Sequence, residues 1–166
     1  MSQGSVVSIY LHVGTSGGEP MARVDRARAV AGGGLAGDRF FQGAGGTSKQ
    51  KGADREVTLI EAEAIEAVGR EGKVTLDAEE SRRNIVTRGV ALNHLVGREF
   101  RVGTATLRGI RLCEPCKHLE SVTRPGVLMA LLHRGGLRAQ VLEGGEVRVG
   151  DPVEVEAVVT DLGSRD

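Results

Sequence analysis

Aromatic side chains are almost missing from this chain: three Phe, one Tyr and no Trp among 166 residues. Single-stranded nucleic-acid platforms and protein hot spots depend on aromatic faces, so neither role is favoured. Net charge is missing too, because Lys plus Arg (22) balances Asp plus Glu (22). General nucleic-acid or membrane-surface binders are usually basic, which leaves only local arginine clusters and small anions. No apolar run approaches the ~18 residues of a membrane span. The start, Met1-Ser-Gln-Gly-Ser-Val-Val7, lacks a basic region followed by a long apolar stretch, so no signal peptide is expected. Cysteine is scarce: two residues, both in one short segment. A secreted disulfide scaffold needs more, at wider spacings, so a reducing, cytoplasmic setting is expected.

Glycine is abundant, at 25 residues, beside only 4 Pro and a 40% hydrophobic fraction. That composition fits tight turns between short strands rather than disorder. Apolar and β-branched runs predict strands at Val6–Leu11, Met21–Val30, Glu56–Ile60, Arg83–Thr87, Glu99–Val102, Ala105–Ile110, Leu137–Leu142, Val147–Val149 and Val153–Val159. Helices are expected at Glu61–Val68, closed by Gly69, and at Gly126–His133, read as buried and stopped by Gly135-Gly136, with one helical turn at Leu92–Val96. Gly43–Gly52 is a long loop of the kind that is usually functional or disordered, and the tail Thr160–Asp166 is expected to fray. The expectation is a single domain over residues 1–166, with its core at about 6–158: mostly β with a few short helices (α+β), and strands closing into a full or partial barrel.

The sharpest chemical feature is Cys113-Glu-Pro-Cys116, and it supports several readings. A C-x-x-C pair can be a redox dithiol, but that motif belongs at a helix start, and these surroundings read as hairpins. Zinc would need four ligands. Cys113, Cys116, His118 and His133 match no standard spacing, so zinc is not expected. A single functional thiol at Cys116 could ligate a soft metal or carry sulfur as a persulfide, since cationic neighbours such as Arg111, Lys117 and His118 favour thiolates. The bland alternative makes both cysteines small buried hydrophobes. Two further segments suit an anion. Arg82-Arg83-Asn84 offers guanidinium forks and an amide, and Gly34-Leu-Ala-Gly-Asp38-Arg39 can turn backbone N–H groups toward a ligand. Taken singly, each is more simply a solvated strand end or an ordinary glycine-rich connection.

In order along the chain, these segments resemble the MOSC family, named for the C-terminal domain of molybdenum cofactor sulfurase. Gly34–Arg39 resembles its early G-L-x-G-D-R turn, and Gly52-Ala-Asp54-Arg55-Glu-Val57 its G-x-D-R/K segment. Arg82-Arg-Asn84-Ile-Val86 resembles R-x-N-[IL]-[VT], with Arg83 where many relatives have Pro. Leu92–Gly103 and Gly144–Val155 resemble the later strand pairs, and Cys116 falls at the family's characteristic Cys. The resemblance implies a mostly-β barrel that binds a molybdenum-pterin cofactor or handles sulfur, with Cys116 as molybdenum ligand or persulfide carrier. In it Arg82, Arg83 and Asn84, with Asp38, Arg39, Lys49, Arg55 and Arg111, would hold the anionic cofactor or a sulfur donor such as a cysteine desulfurase. An oxidoreductase or a sulfur transferase would follow. The alternative is a thiol-disulfide or metal-binding module using Cys113 and Cys116 together. The T-T-V-D-P-like run and N-terminal barrel region of the N-hydroxylated-compound reductases have no match here. Neither does the sulfurase's pyridoxal-phosphate domain.

Overall fold

A computed structural model describes residues 2–15 and 17–156. Eleven strands and three short α-helices are seen among them: β1 (Ser2–Leu11), β2 (Ala22–Val24), β3 (Arg26–Val30), β4 (Gly34–Leu35), β5 (Val57–Glu61), α1 (Ala62–Arg70), β6 (Ile85–Arg88), β7 (Glu99–Val102), β8 (Ala105–Leu112), α2 (Lys117–Val122), α3 (Val127–Leu131), β9 (Leu137–Glu143), β10 (Gly145–Arg148) and β11 (Pro152–Val155). Seven strands, in the order β11-β7-β8-β9-β5-β6-β1, close into a barrel through β1–β11 pairing, and β2 extends β1 beyond the ring. Closure is possible because β1 is long: Ser2–Ser5 pair with β11, and Ser5–Ile9 pair with β6 across a bulge between Val6 and Ser8. Closing the ring joins β1 and β11, which would otherwise each present an open edge. All the barrel pairings are antiparallel except β5–β6. A parallel pair needs a crossover of about a dozen residues or more, and the segment carrying α1 supplies it.

Strand alternation explains where the helices sit. Ile9, Leu59, Ile85, Leu107, Leu137 and Val153 point into the barrel core with Phe100 and Val102. Their neighbours Tyr10, Ile60 and Val86 point outward, into a second cluster with Val68 of α1, Leu119 of α2 and Val127 and Leu131 of α3. The apolar doublets Ile9-Tyr10, Leu59-Ile60 and Ile85-Val86 therefore mark strands covered on both faces, and the helices provide the cover. β10, β3 and β4 form a separate three-stranded sheet.

Several elements differ from the sequence expectation. Met21–Val30 is not one strand; it breaks at Asp25, and β2 and β3 join different sheets. Helix α1 runs past Gly69 to Arg70, and the turn closes at Gly72, whose φ of +74° suits glycine. The Arg83–Thr87 strand begins only at Ile85. The expected buried helix over Gly126–His133 shrinks to the five residues of α3, with Met129 71% exposed. In its place an unexpected helix, α2, begins directly after Cys116. The β11 strand ends at Val155. The end of the expected Val153–Val159 strand and the expected frayed tail lie outside the described residues.

Gly135-Gly136 does more than stop a helix. A Cβ on Gly136 would lie 2.0 Å from the Leu59 carbonyl oxygen, and its φ is +115°. Gly136→Ala is expected to cost about 3 kcal/mol, a drop of roughly 10 °C in melting temperature. Thermal unfolding of the variant checks this; a drop under about 2 °C would contradict it.

Candidate functional site

Asp38 anchors the site from the turn after β4. It is buried, and its carboxylate is fully used. Oδ1 accepts from the His12 backbone N–H (2.7 Å), His12 Nδ1 (3.0 Å) and Asn84 Nδ2 (3.1 Å), and Oδ2 accepts from the Phe40 N–H (3.0 Å). Burial pushes this carboxyl upward, but the hydrogen bonds and charge of His12 outweigh it and hold Asp38 below the ordinary carboxylate range. The other His12 ring nitrogen, Nε2, lies 3.1 Å from the Arg82 carbonyl oxygen. Both ring nitrogens thus face oxygen atoms.

Asn84 is equally committed. Its Oδ1 accepts from the Thr58 N–H and hydroxyl, and its Nδ2 donates to the Tyr10 carbonyl as well as to Asp38. It ties β1, β5 and the β4 turn together at the start of β6. The two arginines before it diverge. Arg82 is left-handed (φ 60°), unusual for a residue with a Cβ. One of its guanidinium nitrogens donates to the Glu19 carbonyl at 2.8 Å. Burial, and then the nearby charge of Arg39, push Arg82 below the usual arginine range. Arg83 is buried and donates three hydrogen bonds to the carbonyls of Gly135, Ser81 and Cys113.

The Cys113–Cys116 loop follows β8. Cys113 is buried, Cys116 is exposed, and both thiols are free. Cys116 caps the start of the six-residue α2, a helix-start position that the sequence reading had denied the motif. The Cys113 N–H donates to Gly136 O at 2.8 Å, and the Glu114 carboxylate accepts the His133 N–H at 3.0 Å. His133 also pairs with Glu114 through its ring, so it serves the loop's support rather than the cysteines. Among the described residues, no three His, Cys, Asp or Glu side chains gather as a metal-binding group.

These pieces surround one cavity of about 180 Å³, lined by His12, Asp38, Arg39, Phe40, Gln50, Arg55, Thr58, Arg82, Arg83, Asn84, Cys113, Cys116, His118 and Arg138, with Gly17, Val57 and Leu119. The structure therefore brings together Cys116, Asp38, Arg39, Arg55, Arg82, Arg83 and Asn84. Two sequence candidates do not line it. Lys49 is exposed on its loop, and Arg111 is ion-paired at 3.0 Å with Asp54. His12, Gln50 and Arg138 were missed, while His118, read from the sequence as a cationic neighbour of Cys116, does line the cavity. Arg138 sits on the polar face of β9 and looks like any solvated strand residue. His12 gains meaning only from Asp38, 26 residues away.

Some arginines are paired with carboxylates, while among the described residues the exposed Arg23, Arg28, Arg70, Arg101 and Arg108 and several cavity arginines are not. Arg26, Arg88, Arg111, Arg124, Arg134 and Arg148 each have a carboxylate partner. Arg39, Arg55, Arg83 and Arg138 form no such pair among the described residues. Asp38 is the single carboxylate among the lining residues, and it is already engaged. Among the described residues, Arg39 Nη1 and Arg138 Nε are buried without a hydrogen-bond partner, and Arg39 lies over the Phe40 ring at 4.7 Å. Such a surplus of cation is stable only beside water or an anion.

The sequence model of the MOSC domain matches residues 42–154, more than half of the chain. The chain belongs to the MOSC domain family. The Gly34–Arg39 turn lies before the matched region, and Cys116 falls inside it. Among solved structures, the YUAD protein from Bacillus subtilis superposes with a TM-score of 0.75 at 18% identity, covering 92% of this chain and 94% of that one. YiiM from Geobacillus stearothermophilus gives 0.69 at 19% identity, covering 95% and 77%. YiiM from Escherichia coli gives 0.64 at 17%, covering 95% and 72%. At these identities the likeness is one of fold. A search of curated proteins returned no match. No helix of this MOSC protein, among the described residues, is long and apolar enough to cross a membrane.

Proposed function

We propose that this MOSC protein binds a molybdenum-pterin cofactor by its anionic end in the arginine-lined cavity, with the Cys116 sulfur as the protein atom that meets the metal. The supporting observation is the unpaired arginine charge sharing one cavity with an exposed thiol. The residues fit such a group: guanidinium forks suit phosphate, the orphaned Arg39 Nη1 lacks an acceptor, and a thiol suits a thiophilic metal. At about 180 Å³ the cavity is smaller than pockets that enclose a whole drug-sized ligand, roughly 300–1,000 Å³. It therefore takes one end of the ligand. Arg39 and Arg82 hold the anion, Arg55 and Arg138 add charge from the β5–β9 side, and Asp38 with His12 keeps the Arg82 turn in place. When bound, the cofactor supplies a metal centre able to exchange electrons or an oxygen or sulfur atom.

The exposure of Cys116 also favours a second reading, transient sulfur carriage. The Cys116 thiolate would attack the outer sulfur of a donor protein's persulfide. One S–S bond forms as the donor's breaks, and the donor leaves as a thiolate. The dithiol alternative asks buried Cys113 to react as well, and its burial weighs against that role.

The test is metal and sulfane-sulfur analysis of protein made in a host that synthesises the cofactor. Substantial molybdenum or labile sulfur per chain is expected in the parent. Arg82→Gln should lower cofactor retention by about 10- to 100-fold, the weight of a lost charged hydrogen bond. A parent protein holding neither molybdenum nor sulfane sulfur would sink the proposal.

A further inference from the structure

Arg82 and Arg83 are adjacent, yet the left-handed backbone at Arg82 sends their side chains to different tasks. The Arg83 guanidinium reaches across to two segments that pack face to face. Its Nε donates to Gly135 O at 2.8 Å and its Nη2 to Cys113 O at 3.0 Å, while Nη1 donates to Ser81 O at 3.2 Å. The two segments touch so closely that a Cβ on Gly135 would stand 2.5 Å from the Cys113 oxygen and 2.9 Å from Pro115 Cδ. Two carbonyl oxygens facing the same space repel unless a donor lies between them. A planar, permanently charged fork meets that need, and a lysine ammonium does not reproduce its geometry. With no carboxylate ion pair among the described residues, the charge of Arg83 also remains uncancelled beside the thiol loop.

We propose that Arg83 is a positioning residue: its fork holds the carbonyls of Cys113 and Gly135 together and so sets where the Cys116 sulfur stands in the cavity, without itself contacting the ligand. This rests on Cys116 being the reactive thiol. It assigns to Arg83 a task different from that of Arg82, although the two look interchangeable in the chain.

Iodoacetamide labelling of the folded full-length protein, read at each cysteine by peptide mass spectrometry, tests it without any cofactor. In the parent, Cys116 should label and Cys113 should stay protected. In Arg83→Met, Cys113 should label at least about tenfold faster as the loop opens locally, and the Cys116 labelling rate at one fixed pH should change by at least about threefold as its sulfur leaves its place in the cavity. Arg83→Lys should leave Cys113 unprotected, because charge returns and the fork does not. Gly135→Ala, which pushes the same loop from the other side, should also expose Cys113, and with Arg83→Lys it carries the test if Arg83→Met does not fold. Cys113 as protected in Arg83→Lys as in the parent overturns the proposal, and so does an unchanged Cys116 labelling rate in Arg83→Met. A parent that binds no molybdenum would sink the cofactor reading while leaving these labelling results intact, so the two failures are distinguishable.

Discussion

Cys116→Ser should remove more than about 99% of the bound molybdenum or transferable sulfur while leaving the melting temperature within about 2 °C of the parent. The first half follows from chemistry: a serine oxygen is a hard ligand, holds no persulfide and is not ionised near neutral pH. The second half follows from exposure. The Cys116 side chain faces solvent and the cavity, and exposed substitutions usually change stability by less than about 0.5 kcal/mol. Cys113→Ser should do the reverse. Cys113 is 2% exposed, so a hydroxyl there is desolvated at a cost of about 1–2 kcal/mol, yet the cofactor or sulfur load should survive. Metal and sulfur analysis beside thermal unfolding of both variants makes the comparison. Equal loss of load in the two variants would transfer the site to the cysteine pair and restore the dithiol reading.

Asp38→Ala should cost about 3–5 kcal/mol, the range for removing one partner of a buried, hydrogen-bonded charge pair. The size comes from what is left behind: His12 Nδ1 and two backbone N–H groups lose their acceptor at once, and Asn84 Nδ2 keeps only the Tyr10 carbonyl. The Arg82 turn, bonded to His12, should loosen with them, and anion binding should fall. The pH dependence has a definite sign. The Asp38 carboxyl lies below its ordinary value of 3.8 in the folded protein. Its stabilisation is therefore fully present above about pH 4, the unfolded value, and is lost as pH falls through the lower folded value. Urea midpoints measured between about pH 2 and 6 should show an acid limb in the parent that is shallower in Asp38→Asn. Parallel limbs in the two proteins would rule out Asp38 as a source of acid sensitivity. In Asp38→Asn the amide can still accept from its neighbours through its oxygen, so the loss at neutral pH should be smaller than in Asp38→Ala.

The barrel was legible in the chain because its causes are local. Period-two alternation in Leu137–Leu142 and Ala105–Ile110, glycine turns such as Gly103-Thr104, and apolar doublets in β5 and β6 each report on the backbone within a few residues. Met21–Val30 was misread because alternation carries no mark of a strand changing sheets at Asp25. The α2 helix was missed because Lys117–Val122 is short, and it is held by burying Leu119 in the second apolar cluster, beside α3, rather than by propensity. The over-long α3 shows the same effect from the other side: an apolar run reads as buried wherever it occurs, but Met129 finds nothing to pack against.

The sequence by itself determined the class of fold and the ordered motif residues, and it nominated Cys116, because each is written in residue type and short-range pattern. Only the tertiary structure decided which charges count. Arg111, near Cys116 in the chain, is turned away to Asp54, and Lys49 stays outside, while Arg138 and His12 arrive from distant strands to line the cavity. Arg82 and Arg83 are neighbours in sequence and both line the cavity, but Arg83 is spent gripping a carbonyl 52 residues away. The physical reason is that charge pairing and hydrogen-bond satisfaction depend on closeness in space, and a closed barrel sets that closeness by strand register rather than by order along the chain.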